Sequence, residues 1–220
     1  MRPYHLSRLI SQGFCIAAVI PLFLLMMGCE TLQTLGKEQR EKLTYHVEKA
    51  QEEQEEAKEQ FQSAFDEFAA LAGFNGEGLE DMYRRLQDQY ENSQSRAQRV
   101  NDRIDKIETV ANKLFLEWEE ELDQYQNPRL RDSSKQMLTE TKERYRDFLF
   151  SMKRAESKMY PVLSIFHDQV LYLKHNLNAN AVSSLQDTVT ELEEEVNALV
   201  EELEQSIANA REFIESMDVH

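Results

Sequence analysis

His167, Asp168 and His175 come nearer than any other residues of this chain to a metal-ligating set. They fall within about two turns of one expected helix, so the two imidazoles lie on neighbouring faces around Leu171. Zinc or copper is the chemistry such a pair could support. The plainer reading is a helix-end or partner-contact role, shared with the adjoining Lys174 and Asn176. No Glu-x-x-His pair occurs in the sequence, and carboxylate-bridged di-metal bundles need such pairs projecting inward. No metal and no cofactor is therefore expected. His46 stands beside an apolar stripe and reads as a boundary residue. Acid/base chemistry could in principle draw on 41 carboxylates, but a carboxylate is tuned only in a desolvated cleft, and helices that bury one apolar stripe expose their acids. There is no serine in a strand-to-helix elbow. No catalytic residue is expected, and the chain reads as no enzyme.

A different chemistry is offered by Cys29. It follows an apolar run of about 15 residues beginning at Gly13, where a bilayer-spanning helix needs roughly 20. Arg2 and Arg8 precede the run and small Gly28 precedes the cysteine, the order of a secretory signal. Leu25-Met26-Met27-Gly28-Cys29 resembles a bacterial lipobox, with Met26 where Leu is more usual. That resemblance implies cleavage after residue 28 and acylation of Cys29, and several acyl chains on one cysteine hold firmly where one is marginal. The alternative is an uncleaved anchor helix. Glu30, where lipoproteins kept at the inner membrane typically have Asp, implies the periplasmic face of the outer membrane.

With residues 1–28 removed, Arg2 and Arg8 go with them and the formal charge moves from −16 to −18, which argues against nucleic acid as a partner. Cys15 would leave with the signal and the Cys29 thiol would be occupied, so no disulfide and no cysteine nucleophile remain. The fold must rest on its core, for which about 190 residues are ample. Gly 6 and Pro 4 among 220 residues are few, a helical composition with no strand-like alternation between turn residues.

Residues 29–37 read as a short tether and 38–220 as one helical domain. Leu43, Val47, Ala50, Gln54, Ala57, Phe61, Ala64, Phe68 and Leu71 follow one another in steps of four and three, a heptad seam. Three of the six glycines, Gly73, Gly76 and Gly78, end that helix, and the nearby acids belong to a turn and the next helix start rather than to a cation loop. A second seam runs from Leu86 to Tyr125 in a helix of about 70 Å beginning at Leu79. Glu119, Glu120, Glu121 and Asp123 oppose that helix's dipole, with Arg129 and Arg131 placed to offset them. Asn127-Pro128 breaks the pattern. The third helix is expected from about Ser133 to Leu177, with a phase slip between Phe166 and Val170 and a kink at Pro161. Its Tyr145, Phe148, Met152, Met159 and Tyr160 read as core rather than as a cofactor box. Lys174 and His175 suit its carboxyl end, and Asn178 or Asn180 could cap the fourth helix. That helix carries a seam from Leu185 to Met217 and a glutamate-coated exterior.

Three segments, 50–65, 114–125 and above all Phe166 to Ala179 with its Leu-Lys-His-Asn-Leu-Asn end, resemble a family of bacterial lipoproteins known only as a domain of unknown function. The likeness covers nearly the whole chain after the leader and implies no activity or catalytic residues. Heptad similarity to repair ATPases carries nothing, since there is no Gly-Lys-Ser/Thr phosphate loop.

The expectation is an all-α, elongated antiparallel four-helix bundle with coiled-coil packing, tethered to the membrane through lipidated Cys29 and acting structurally or as an adaptor for an envelope protein. The rival is a metal- or ligand-binding bundle acting on envelope material. Seams satisfy packing within or between chains equally, so the oligomeric state stays open. From helix lengths, the second and third helices should overshoot the other two by about 15 Å. That would put Trp118, Tyr125, Arg129, Leu130 and Arg131 on an exposed, membrane-proximal tip, with Lys174, His175 and Asn176 at the far end; the plainer reading of the tip is an ordinary hairpin loop whose charges merely solvate it.

Overall fold

The computed structural model describes the backbone of residues 20–73, 78–176 and 179–218, and the side chains of 37–73, 78–176 and 183–217. Four helices follow in order: α1 (Ile20–Ala72), α2 (Leu79–Leu122), α3 (Pro128–His175) and α4 (Ala179–Asp218). No strand occurs among the described residues. The chain divides into two compact units, Met1–Glu38 and Gln39–His220. In the first, the described backbone is helical from Ile20. The start of the expected leader, the Cys29 side chain, Leu177, Asn178 and the Asn180 side chain lie outside the described residues.

Three local expectations are corrected. Residues 30–37 are helical, not an extended tether; one glycine inside a helix costs only about 1 kcal/mol, and its Glu, Gln, Leu and Lys neighbours favour helix. The third helix starts at Pro128, five residues before the expected Ser133. Proline here is not a breaker, because at the first helical position its missing N–H has no partner to lose, and Asn127 caps the end by accepting from the Arg129 N–H at 3.0 Å. Tyr125 falls beyond α2 and is exposed. At the preceding turn, Gly78 has φ 123°, a left-handed conformation that favours glycine, and Glu80 and Asp81 open α2. Pro161 sits inside an unbroken α3 with its ring exposed.

The second unit is an antiparallel bundle. α2 packs on α3 and α3 on α4, and side-chain bonds close the ring through α1. Gln60 donates to Gln89 at 2.8 Å and Arg99 to Glu53 at 3.2 Å, so α1 descends as α2 rises. Ser206 donates to Gln54 at 3.0 Å and Gln186 to the Ala72 carbonyl at 2.9 Å, which sets α4 antiparallel to α1. Phe68 and Phe166 meet edge to face across the bundle at 5.9 Å. At 1.5 Å per residue α2 runs about 66 Å.

The expected seams are buried from Leu43 to Leu71 on α1, from Leu86 to Leu122 on α2 with Tyr90 half-buried, and from Leu138 to Leu173 on α3. Met82, Phe115, Ser134, Ser151, Leu163, Ser206 and Phe213 are also buried. On α4 Val189 is only partly buried, and near the end the phase differs: Phe213 is buried, while Ile214 and Met217 are only partly so. Phe213 stacks on Phe148 at 5.0 Å and lies 6.1 Å from Tyr145, which meets Phe115 edge to face at 5.3 Å. This aromatic layer gathers α2, α3 and α4 where α4 finishes. Burial there pushes the Tyr145 phenol well above its usual pKa, so it stays neutral.

Candidate functional site

The ring of His167 lies against that of Tyr90 at 5.5 Å, and its Nδ1 is 3.4 Å from Asp168 Oδ1, both groups exposed. His175 closes α3 with Lys174, and Asn176 caps it by donating its side-chain amide to the Tyr172 carbonyl at 3.0 Å. Among the described residues no group of three His, Cys, Asp or Glu side chains is placed to hold a metal ion. His167 therefore belongs to a wall with Tyr90, and His175, Lys174 and Asn176 belong to a helix end.

That wall bounds a groove of about 370 Å³ between α2 and α3. Ala97 and Leu163 lie at its base. Tyr90, Gln94 and Gln98 line it from α2, at positions that share one face of a helix, and Tyr160, Ser164 and His167 line it from α3 in the same way. Gln94 donates to the Tyr90 hydroxyl at 3.2 Å and Gln98 to Asp102 at 2.8 Å, which leaves both amide oxygens as acceptors. Tyr160 donates to Glu156 at 3.1 Å, and Asn101 donates to the same carboxylate oxygen at 2.8 Å. Partial burial, then this contact, raises the Tyr160 pKa. The expectation that Tyr160 is core is corrected: it is 54% exposed, whereas Tyr145, Phe148, Met152 and Met159 are buried. Tyr160 follows Met159 by one residue, and one residue turns a helical side chain by about 100°. The sequence signal was therefore available: Tyr160 is out of step with the seam, as are Gln94 and Gln98.

A second groove, about 360 Å³, is lined by His46, Asp102, Asp105, Lys106, Thr109 and Val110. His46 Nδ1 is buried without a hydrogen-bond partner. Burial, then the nearby charges of Arg103 and Lys106, lower its pKa.

At the α2–α3 turn, Trp118 is not on an exposed tip. It is 9% exposed, its indole N–H donates to Ser134 Oγ at 2.9 Å, and the Arg40 guanidinium lies 4.7 Å from its ring centroid. α1 reaches this level and covers it, which the helix-length argument missed. Arg129, Leu130 and Arg131 are exposed, and Arg131 pairs with Asp123 at 2.9 Å. Of the acids that oppose the α2 dipole, Glu119, Glu121 and Asp123 face cations of neighbouring helices. Glu119 pairs with Lys142 at 2.6 Å. Burial and Glu117 raise the Glu121 pKa, and Arg40 opposes them. Among the described residues no helix is long and apolar enough to cross a membrane.

No curated protein and no solved structure matches the chain. A family model described as "Protein of unknown function (DUF2959)" matches residues 29–217. The match begins at Cys29 and takes in all of α2 and α3, both grooves and most of α4, so the chain belongs to this family of unknown function.

Proposed function

We propose that this protein is a non-catalytic helical spacer or adaptor of the bacterial cell envelope, held by acyl chains on Cys29 at the periplasmic face of the outer membrane and presenting its bundle to an envelope protein. The observation that supports the role is the bundle itself. A rod of about 66 Å keeps one apolar seam inside along its length and carries its ionisable groups chiefly on its faces, where they form ion pairs between helices. Such a body transmits position and offers surface. The family match supplies no activity, and the anchor rests on the sequence of residues 25–29.

Two measurements test the reading. Mass spectrometry of protein from cell membranes should find a chain starting at acylated Cys29, and Cys29→Ser should accumulate unprocessed at the inner membrane; a mature chain retaining Met1 would sink the anchor. Photo-crosslinkers at exposed positions, in intact cells, should capture one envelope protein reproducibly from one face. Capture that is equal from every face would remove the adaptor role.

A further inference from the structure

The groove between α2 and α3 stands out by what its lining lacks. Charged residues make up 30% of the sequence, yet the lining contains no Asp, Glu, Lys or Arg. Its only titratable groups are two tyrosines and His167, together with two glutamines and a serine over an apolar base. Three acids border it: Glu156 is engaged by Asn101 and Tyr160, Asp102 accepts from Gln98, and Asp168 lies 3.4 Å from His167 Nδ1. The lining gives an anionic ligand no counter-charge to offset desolvation, and the bordering acids already face polar groups of this chain. It suits instead a ligand with apolar faces and neutral hydrogen-bonding edges.

We propose that this groove binds a neutral carbohydrate chain, its pyranose C–H faces against the rings of Tyr160 and Tyr90 and its hydroxyl or acetamido groups on Gln94, Gln98, Ser164 and His167. Pyranose rings are apolar on their faces and polar at their edges, and an aromatic ring presents the flat apolar surface that matches such a face. The amide oxygens of Gln94 and Gln98 accept from hydroxyl or acetamido N–H groups. Tyr160 and Tyr90 are each held by a hydrogen bond, to Glu156 and from Gln94, so little rotamer freedom is lost on binding. The lining follows the helix axes over about 12 Å, from Tyr90 to Gln98, which suits a short oligosaccharide better than a single sugar. The inference goes beyond the anchored spacer and does not rest on it, since it needs neither acylation nor a protein partner.

The test is titration of the full chain, purified in detergent, with an N-acetylglucosamine oligosaccharide, read by saturation transfer to the sugar and by the ¹³C-methyl resonance of Ala97 at the base of the groove. Wild type should bind in the micromolar to millimolar range and shift the Ala97 methyl. Tyr160→Ala should weaken binding about ten-fold, the scale of one lost aromatic contact, while Leu171→Ala, exposed on α3 outside the groove, should bind as wild type. Circular dichroism checks that each variant is folded, and Gln98→Ala serves in place of any tyrosine variant that is not. No binding by wild type, or binding that neither Tyr160→Ala nor Gln98→Ala weakens, overturns the proposal. It would leave the spacer role untouched, which acylation and crosslinking test separately.

Discussion

Gln54 lies at the centre of the bundle with no exposure, facing Ser206, which is equally buried. Ser206 donates to its Oε1, but Gln54 Nε2 is buried with no protein acceptor. An unmet buried donor costs about 1–3 kcal/mol, whereas replacing both partners with apolar groups can be neutral or stabilising. Gln54→Leu combined with Ser206→Ala should therefore leave the thermal midpoint unchanged or raise it, while Ser206→Ala alone should lower it. If the double variant is less stable in thermal unfolding, the pair is better satisfied than its geometry indicates. A lone polar residue on a seam can also fix register, so the double variant should be checked for altered oligomeric state by light scattering. His46 gives a pH effect of definite sign. Its folded pKa is lowered, so its contribution to stability is complete above about pH 6.5, the free value. It is lost as pH falls from there through the folded value. The loss of stability between pH 7 and pH 5 should be smaller in His46→Gln than in wild type, measured by urea unfolding; equal slopes would remove His46 from the account.

At the scale of the elements, α4 separates periodicity from packing. A heptad phase carried forward from Leu185 selects Ile214 and Met217, but the buried residue is Phe213, because the aromatic layer of Phe115, Tyr145 and Phe148 offers it a stacking partner. Phe213→Ala should cost about 3–5 kcal/mol and Ile214→Ala clearly less. Equal losses in chemical denaturation would restore the heptad phase. Seams were legible in the sequence because burial on a helix repeats locally. Helix ends were less so: Asn127-Pro128 reads as a break or as a cap and first residue, and only the chain's direction after Pro128 decides between them. Asn127→Ala should cost about 1 kcal/mol as a lost cap. The groove was the least legible feature. It combines Tyr90, a seam position by spacing, with Tyr160, one residue off the seam, and their approach depends on the pairing of α2 with α3.

For the bundle as a whole, charge gives the helix order a physical reason that the seams do not. α3 is the helix in which Lys and Arg outnumber Asp and Glu, while α4 sets Arg211 alone against its glutamates and α2 is net acidic. The basic helix lies between two acidic ones and binds both. Lys142 and Lys153 reach Glu119 and Glu108 of α2, each at 2.6 Å, and Arg154 reaches Glu202 of α4 at 2.5 Å. As the α3 partner advances from 142 to 153, the α2 partner steps back from 119 to 108, so the pairs also encode antiparallel register. Apolar seams alone accept other neighbours, and like charges brought together are disfavoured, so these pairs act mainly against wrong arrangements. Each is partly exposed and worth about 0–1 kcal/mol, too little to hold the fold by itself. Lys153→Glu should therefore destabilise the bundle only slightly, by placing like charges at Glu108 and residue 153, and Glu108→Lys added to it should restore stability by reversing the pair. The recovery should shrink in high salt, where surface charges are screened. If Glu108→Lys fails to rescue Lys153→Glu at low salt in a double-mutant cycle, the pair does not couple α2 to α3, and the order of the helices must be assigned to the seams and the short turns alone.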